Sequence, residues 1–347
     1  MTARRGSKTV PAAAALIVAA LSVWTTGLFW ESGARAAETL KIGVLKLASS
    51  GPVFIAADQG FFKDQGIDVS LVFFDAAQPV AVAAVSGDID VGVTGLTAGF
   101  YNLAGKDELR IIGAQSREQA GYHLIAYLAG DHAFDGGLKG LKDLPGHSVA
   151  VTQIGSTFHY SLGLLADKLG FAIDSVRIVP LQTMSNEASA LAGNQVDAAM
   201  LPATVALPLV ARGEAHLLGW VGDETPWQLG AVFAAKHVIA ERRAALAAFL
   251  KAYRHGTQDF YDAFLVKDPD GAPKPGAMEP AMLAVLAKYT GQPAKDLEAG
   301  IPYVDREGRL LVRDIYHQIA WYQGQGLVDK SVEAASILDF SLIVYDK

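Results

Sequence analysis

An internal duplication constrains the fold of this 347-residue chain more than any other feature of its sequence. Three pairs of residues lie 104 positions apart: Gly51 and Gly155, Phe54 and Phe158, and Gly66 and Gly170. The separation grows to 107 between Asp90 and Asp197, which one small insertion explains. Self-similarity at a fixed spacing indicates that one structural unit occurs twice.

Each copy of the duplicated unit predicts the alternation strand, helix, strand, helix, strand. Strand-like runs occupy residues 41–45, 69–74 and 91–93 in the first copy, and residues 147–151, 176–181 and 198–200 in the second. Strands separated by helices pair in parallel through right-handed crossovers. The predicted fold class is therefore α/β, with two lobes, each a parallel or mixed sheet flanked by helices.

The remaining segments indicate how the chain passes between the lobes. The alternating apolar runs 122–128 and 231–235 are interpreted as two hinge crossovers. Lobe I then comprises residues 38–128 and 222–347, and lobe II residues 129–221. Amphipathic helices predicted at 241–265, 279–289 and 312–325 would pack on lobe I.

The first 37 residues have the pattern of a signal peptide. Arg4, Arg5 and Lys8 precede an apolar run over residues 12–30, and small residues flank Arg35 at a suitable cleavage site. We expect cleavage near residue 36 or 37 and a periplasmic location. An uncleaved anchor stays open as an alternative, as does the export route, Sec or twin-arginine.

Composition excludes several classes of function. The chain has no cysteine, which excludes disulfides, thiolate metal sites, cysteine nucleophiles and a lipidated cysteine. Loss of residues 1–36 removes four basic residues and one acidic residue, so the formal charge moves from −7 to −10. An acidic chain without a Lys/Arg cluster is not expected to bind nucleic acid or an anionic membrane.

Three motifs together resemble a known family. They are FIAADQGFFKDQGIDV at residues 54–69, Gly-Asp-Ile-Asp at 87–90, and the related segment 193–199. In this order they resemble the substrate-binding proteins of ABC transporters for nitrate, sulfonates and taurine, a superfamily that includes binders of the thiamine pyrimidine precursor. The resemblance implies a type II periplasmic binding protein fold, hinge closure around one ligand, and an ABC permease at the inner membrane as partner.

Helix N-termini at strand ends provide the candidate ligand site. Unpaired N–H groups and the helix dipole make such ends ready anion sites, and the ligand of an open α/β sheet binds beyond the carboxyl ends of the strands. Four loops satisfy this rule, and the candidates on them are Ser49, Ser50, Gly51, Thr94, Gly95, Thr97, Gln153, Gly155, Ser156, Thr157 and Pro202. Each Ser or Thr taken singly has helix capping as an equally good interpretation.

Five further side chains are candidates with explicit alternatives. Ser116 and Arg117 follow a strand before the first crossover. Arg117 could pair with a carboxylate or sulfonate, form a salt bridge with neighbouring Glu118, or lie in a solvated loop. His159 lies one turn into its helix and is interpreted as a ligand contact or a structural histidine. Trp227 could cover an organic ligand or pack against the hinge, and Phe54 could line the cleft or fill the core.

The sequence therefore predicts a monomeric solute-binding protein for a small organic anion, of the sulfonate or carboxylate class, with no cofactor and no metal. No zinc, phosphate-loop, nucleophile-elbow or dinucleotide motif occurs in the chain. A binder of a thiamine-pyrimidine-like heterocycle and a ligand-presenting sensory module stay open as alternatives. An enzyme of the pyrimidine-synthase branch is disfavoured, because the related yeast-type enzymes depend on a cysteine-rich iron motif and this chain has no cysteine.

Overall fold

Two five-stranded sheets organise residues 38–345, the part of the chain that the computed structural model describes. The predicted signal peptide, residues 1–37, lies outside the described residues. The first sheet and its helices are built mainly from β1 (Glu38–Leu45), α1 (Gly51–Asp58), α2 (Phe61–Asp64), β2 (Ile67–Phe74), α3 (Ala77–Ser86), β3 (Val91–Gly95), α4 (Ala98–Gly105) and β4 (Leu109–Ala114).

The second sheet follows after a short strand, β5 (Ser116–Glu118). Its elements are β6 (Ile125–Gly130), α5 (Asp131–Asp135), β7 (Ser148–Val151), α6 (Thr157–Leu169), β8 (Arg177–Pro180), α7 (Met184–Ala192), β9 (Ala198–Pro202), α8 (Ala203–Ala211), β10 (Ala215–Trp220) and α9 (Val221–Glu224). The chain then returns to the first sheet.

The C-terminal third completes the first lobe. Its elements are β11 (Trp227–Gln228), β12 (Gly230–Ala235), α10 (Lys236–Glu241), α11 (Arg243–Phe264), α12 (Glu279–Thr290), α13 (Ala294–Glu298), β13 (Tyr303–Val304), β14 (Arg309–Leu310), α14 (Val312–Gly324) and β15 (Val344–Tyr345). The three long helices predicted here are thus α11, α12 and α14. In α11 the buried Leu246, Phe249, Leu250 and Tyr253 form one apolar stripe, which explains why this segment is a packed helix.

The two sheets share one topology, which is how the sequence duplication appears in the structure. The first sheet has the order β2-β1-β3-β12-β4 and the second β8-β7-β9-β6-β10, with the first three strands of each parallel and the fourth antiparallel to its neighbours. The architecture is the α/β fold that the alternation predicts.

Two aspartates at equivalent positions make the same hydrogen bond to the backbone in both lobes. The carboxylate of Asp90 accepts a hydrogen bond from the backbone N–H of Lys41, and that of Asp197 accepts one from the N–H of Ser148, each at 2.7 Å. Asp90 therefore joins its turn to the start of β1, as Asp197 does for β7. This structural use accounts for the aspartates in the repeated Gly-Asp motifs.

The two stretches interpreted as hinge crossovers are strands within the sheets. Residues 122–128 lead into β6, and residues 231–235 lie in β12, so each is the antiparallel fourth strand of its sheet. The crossings lie just before them, where β5 and β11 pair antiparallel, with Trp227 opposite Glu118. With β13 on the other edge of β5, the crossings form a three-stranded sheet.

Helix α14 contacts both lobes and so connects them. It packs against α4 of the first lobe and α6 of the second. The hydroxyl of Tyr322 donates to the carbonyl of Ser156, and the ring of Trp321 lies edge-on to that of Tyr160 with centroids 5.3 Å apart. Within residues 38–345, no helix combines the length and the hydropathy needed to cross a membrane.

Candidate ligand-binding cavity

A cavity of about 60 Å³ lies between the two sheets, at the carboxyl ends of their parallel strands. The first lobe and the return crossing contribute Leu45, Leu47, Ser49, Ala76, Ala77, Gln78, Thr94, Gly95, Thr97 and Leu229 to its lining. The second lobe and the segment leading into it contribute Leu124, Ile125, Thr152, Gln153, Ser156, Thr157, Phe158, Met184 and Pro202. Both lobes therefore form the site, as lobe closure on a ligand requires.

Six helices begin beside this cavity. In the first lobe α1, α3 and α4 start next to the lining residues Ser49, Ala77 and Thr97, and in the second lobe α6, α7 and α8 start at Thr157, Met184 and after Pro202. The first N–H groups of a helix have no partner within the helix, and each N-terminus carries a partial positive charge. Their convergence brings the positive ends of six helix dipoles to the cavity, an arrangement typical of anion sites.

The lining contains no ionisable side chain. Its polar members are the side chains of Ser49, Gln78, Thr94, Thr97, Thr152, Gln153, Ser156 and Thr157, and the rest apart from Gly95 are apolar. An anion in this cavity would be held by hydrogen bonds and helix dipoles, without an ion pair. The apolar wall suits the carbon skeleton of an organic ligand.

Several lining hydroxyls cap the helices on which they lie. The hydroxyl of Thr97 accepts from the N–H of Phe100 at 3.1 Å, and that of Ser156 accepts from the N–H of His159 at 3.3 Å. In contrast, the hydroxyl of Thr94 is buried and has no hydrogen-bond partner among the described residues. An unpaired buried hydroxyl at a cavity wall is a free donor for a ligand.

Half of the residues singled out from the sequence line the cavity. They are Ser49, Thr94, Gly95, Thr97, Gln153, Ser156, Thr157 and Pro202. All eight lie at or just beyond the carboxyl ends of the first and third strands of each repeat. The structure does not bring the other eight to the cavity lining.

Three of these others lie in the first turn of α1 or just before it and are buried in the core of the first lobe. Phe54 is fully buried and stacks on Tyr289 with ring centroids 4.9 Å apart. Gly51 packs against the ring of Phe260, and Ser50 is buried one residue away from the lining residue Ser49. Ser50 precedes α1, yet its side chain makes no capping hydrogen bond.

Another three belong to the crossing sheet. Arg117 is buried, donates to the side chain of Gln228 at 3.2 Å, and has Asp305 as its acidic partner at 4.0 Å, in place of the neighbouring Glu118. Ser116 lies next to it in β5, fully buried. The indole of Trp227 is buried edge-on against Tyr160 with centroids 4.8 Å apart.

The last two, Gly155 and His159, form the support of the second-lobe loop. The ring Nδ1 of His159 accepts the N–H of Gly155 at 3.0 Å, which fixes the loop that carries Gln153 and Ser156. Burial lowers the pKa of His159 to about 4, so the imidazole is neutral at pH 7. The carbonyl of Gly155 accepts from the N–H of Ala98 at 2.9 Å, so the two lobes touch beside the cavity.

Four of the lining residues that sequence reasoning missed follow the second strand of each repeat. Ala76, Ala77 and Gln78 come after β2, and Met184 comes after β8. The rule that selected the other loops applies equally here, because all parallel strands of a sheet end at the same edge. The position of these four residues after a parallel strand is therefore the sequence signal that identifies them.

The cavity and the fold together define the class of this protein. Two α/β lobes of like topology with a shared cavity form the type II periplasmic binding protein fold, and this class binds solutes. The family model described as NMT1/THI5-like matches residues 48–272, and the chain belongs to that family. The family matches the one that the sequence motifs resemble.

Solved structures with the same fold include three bacterial binding proteins. The alkanesulfonate-binding protein SsuA from Xanthomonas axonopodis pv. citri, bound to MOPS, has 19% identity and a TM-score of 0.68, covering 90% of this chain and 100% of that one. The aliphatic sulphonate binding protein SsuA from Escherichia coli has 20% identity and a TM-score of 0.67, with coverages of 86% and 91%. The nitrate-binding protein NrtA from Synechocystis PCC 6803 has 14% identity and a TM-score of 0.69, with coverages of 88% and 87%. A search of the curated proteins finds no match.

Proposed function

We propose that this protein is the periplasmic solute-binding component of an ABC importer and captures a small organic anion of the sulfonate or carboxylate class. The observation that carries the proposal is the convergence of six helix N-termini on a cavity whose lining has no ionisable side chain. Such a site attracts one negative group and offers no residue that would transform it.

The apolar part of the lining supports an organic ligand over a bare inorganic ion. Leu45, Leu47, Leu124, Ile125 and Leu229 bring branched aliphatic side chains to the cavity from both lobes. Removing a short alkyl chain from water against such a wall contributes about 0.8 kcal/mol for each CH₂ group. An ion without carbon would leave that surface unused.

The transport role rests on closure. Contacts made by both lobes with one ligand favour the closed state, and a permease that recognises this state receives loaded protein only. The family and the three sulfonate- and nitrate-binding structures support this role. The predicted signal peptide supports delivery to the periplasm.

A thermal-shift screen with matched compounds tests the proposal. The panel contains 1-butanesulfonate, butanoate, nitrate, uncharged 1-butanol and a neutral aminopyrimidine, at equal ionic strength. At a concentration of one hundred times Kd, a ligand stabilises the folded state by about 2.7 kcal/mol, which raises Tm by several degrees. We expect the organic anions to raise Tm most and butanol not to raise it.

Two results would count against the proposal. If the well-folded protein gains no stability from any anion in the panel, the anion-binding role is wrong. If the aminopyrimidine alone raises Tm, the ligand belongs to the heterocycle class.

A further inference from the structure

Gln78 is a polar cavity residue whose orientation the protein fixes. It is the second residue of α3, it is half-buried, and it lines the cavity from the first lobe. The hydroxyl of Thr97, at the start of α4, donates to its Oε1 at 2.6 Å. Two helix N-termini of the same lobe are thus joined by one side-chain hydrogen bond at the cavity wall.

The hydrogen bond determines which end of the amide is free. The Thr97 hydroxyl accepts the N–H of Phe100 and donates its own hydrogen to Oε1 of Gln78. The Oε1 end of the amide is therefore turned toward Thr97. Its Nε2, which carries two hydrogens, has no protein acceptor among the described residues.

The backbone of α4 also leaves space for this amide. A Cβ added at Gly99 would overlap the side-chain amide of Gln78, and the three atoms nearest to that position all belong to it. Only glycine permits this close approach. The hydroxyl of Thr97 and the bare backbone at Gly99 therefore hold the amide from two sides.

We propose that Gln78 is a specificity-determining residue that presents its Nε2 hydrogens to the anionic group of the ligand, and that Thr97 and Gly99 are positioning residues that fix this orientation. The inference rests on the proposed function and names the donor that selects for negative charge. An amide free to flip would offer either a donor or an acceptor. With Oε1 held by Thr97, Nε2 is the end of the amide that stays available to the ligand.

Isosteric substitutions at Gln78 test the donor directly by calorimetric titration with 1-butanesulfonate and, in parallel, butanoate. Gln78→Met removes the donor, and Gln78→Glu replaces it with an anionic oxygen. We expect Kd to rise about 10- to 100-fold in Gln78→Met, the range for a hydrogen bond to a charged group, and further in Gln78→Glu. Gln59→Glu, which adds the same charge at an exposed position on the same lobe, should leave Kd unchanged.

The pH dependence of the affinity of Gln78→Glu distinguishes loss of the hydrogen-bond donor from a change in side-chain size or a defect in folding. The sulfonate probe stays ionised as the pH falls, whereas the introduced carboxylate takes up a proton and becomes a donor. We therefore expect the affinity of Gln78→Glu for 1-butanesulfonate to recover on acidification, while the ratio of wild-type to Gln59→Glu affinity stays constant.

A double-mutant cycle tests the positioning role of Thr97. Thr97→Val removes the hydroxyl, whereas Thr97→Ser keeps both the donor to Gln78 and the helix cap. We expect Thr97→Ser to bind like wild type, Thr97→Val to bind more weakly, and Gln78→Met to have a smaller effect on Kd in the Thr97→Val background. Gly99→Ala should weaken binding in the same way as Thr97→Val.

The outcomes separate this inference from the function on which it rests. If wild type binds neither probe, both the proposed function and the role of Gln78 are wrong. If wild type binds and both Gln78 variants match Gln59→Glu in Kd, the proposed function stands and the role of Gln78 is wrong. Additive effects of Thr97→Val and Gln78→Met would overturn the positioning role of Thr97.

Discussion

The hydroxyl of Thr94 is a single-residue sign that the cavity is built for a ligand. It lies at the carboxyl end of β3, it is buried, and it has no hydrogen-bond partner among the described residues. Leaving a buried hydroxyl unpaired costs free energy, which a protein regains when a ligand supplies the partner. The unpaired hydroxyl is thus explained better by the ligand-bound protein than by the ligand-free protein.

Replacing Thr94 by valine tests this interpretation. Thr94→Val keeps the shape and removes the hydroxyl, so we expect Kd for 1-butanesulfonate to rise about tenfold while the ligand-free protein loses little or no stability. Ser50→Ala is the matched control, because the Ser50 hydroxyl is also buried and unpaired but is outside the cavity lining. Equal affinities of both variants and wild type, measured by calorimetric titration, would contradict the role of Thr94.

His159 gives the protein an acid-sensitive support for the second-lobe loop. Its pKa is lowered to about 4 by burial, below the unfolded value of about 6.5, so the unfolded chain binds more protons as the pH falls between these values. Stability is therefore lost on acidification from about pH 6.5 to 4, by up to about 3 kcal/mol. We expect His159→Asn to lose less stability than wild type over this range in urea unfolding. Parallel pH profiles for the two proteins would contradict this assignment.

At the residue scale, the sequence could not predict partners that are distant in the chain. Among the interpretations of Arg117, the one local partner in the sequence was Glu118, but the guanidinium pairs with Asp305 from the C-terminal part. The repeat does determine that Ser156 and Thr157 lie at a helix start, because capping and strand order are local signals. The repeat does not predict that the ring of His159 turns back to Gly155. Trp321, which packs beside that ring, belongs to α14, outside the duplicated units.

At the scale of elements, the proposed anion site depends on helices that begin at the carboxyl ends of the parallel strands in both sheets. The alternation of strands and helices predicted the six parallel strands and the α/β class. Applied to every parallel strand, the same rule also predicts the loops that carry Gln78 and Met184. The crossings lie a few residues before the segments predicted as hinges. The sequence could not show this, because β6 and β12 alternate like other strands and only their pairing shows that they belong to the sheets.

Helix α7 contains a buried carboxyl that makes its packing dependent on pH. Glu187 is fully buried without a hydrogen-bond partner for either oxygen, and burial raises its pKa to about 9. Because this pKa lies above the unfolded value, the favourable contribution is complete below about pH 4.5 and is lost as the pH rises toward 9.

Glu187→Gln should remove most of this dependence. We expect the variant to be more stable than wild type at pH 7, by about 2 kcal/mol, and the difference to grow between pH 5 and 9. Urea unfolding across this pH range measures it, with Glu298→Gln as a control at an exposed position. A wild-type advantage at pH 7 that widens with rising pH would contradict the assignment.

At the scale of the whole molecule, α14 holds the second lobe against the first. Its Trp321 ring lies directly over Gly163 of α6, where a Cβ would overlap the indole. The nearby hydroxyl of Tyr160 is within 3.0 Å of His317, also on α14. The arrangement of the lobes therefore depends on a helix from outside the duplicated units, which the repeat alone did not predict.

Gly163→Ala should loosen this contact. Overpacking of this kind costs about 1–3 kcal/mol, so we expect lower stability in urea and a larger radius of gyration by small-angle X-ray scattering with 1-butanesulfonate present. Gly324→Ala, on α14 itself, is the control because an added Cβ there meets no atom within 4 Å. If the two variants have the same radius of gyration and stability, α14 does not set the lobe arrangement.

The central claim is that six helix N-termini hold an anion in a cavity shared by both lobes. A crystal structure grown with 2-bromoethanesulfonate tests it most directly, because anomalous scattering locates the bromine while the sulfonate is seen in the density. We expect sulfonate oxygens within hydrogen-bond distance of Thr94 and the helix N-termini of both lobes, with the bromine against the leucine side chains of the cavity. A sulfonate bound by one lobe alone, or an intact probe bound elsewhere with this cavity unfilled, would contradict it.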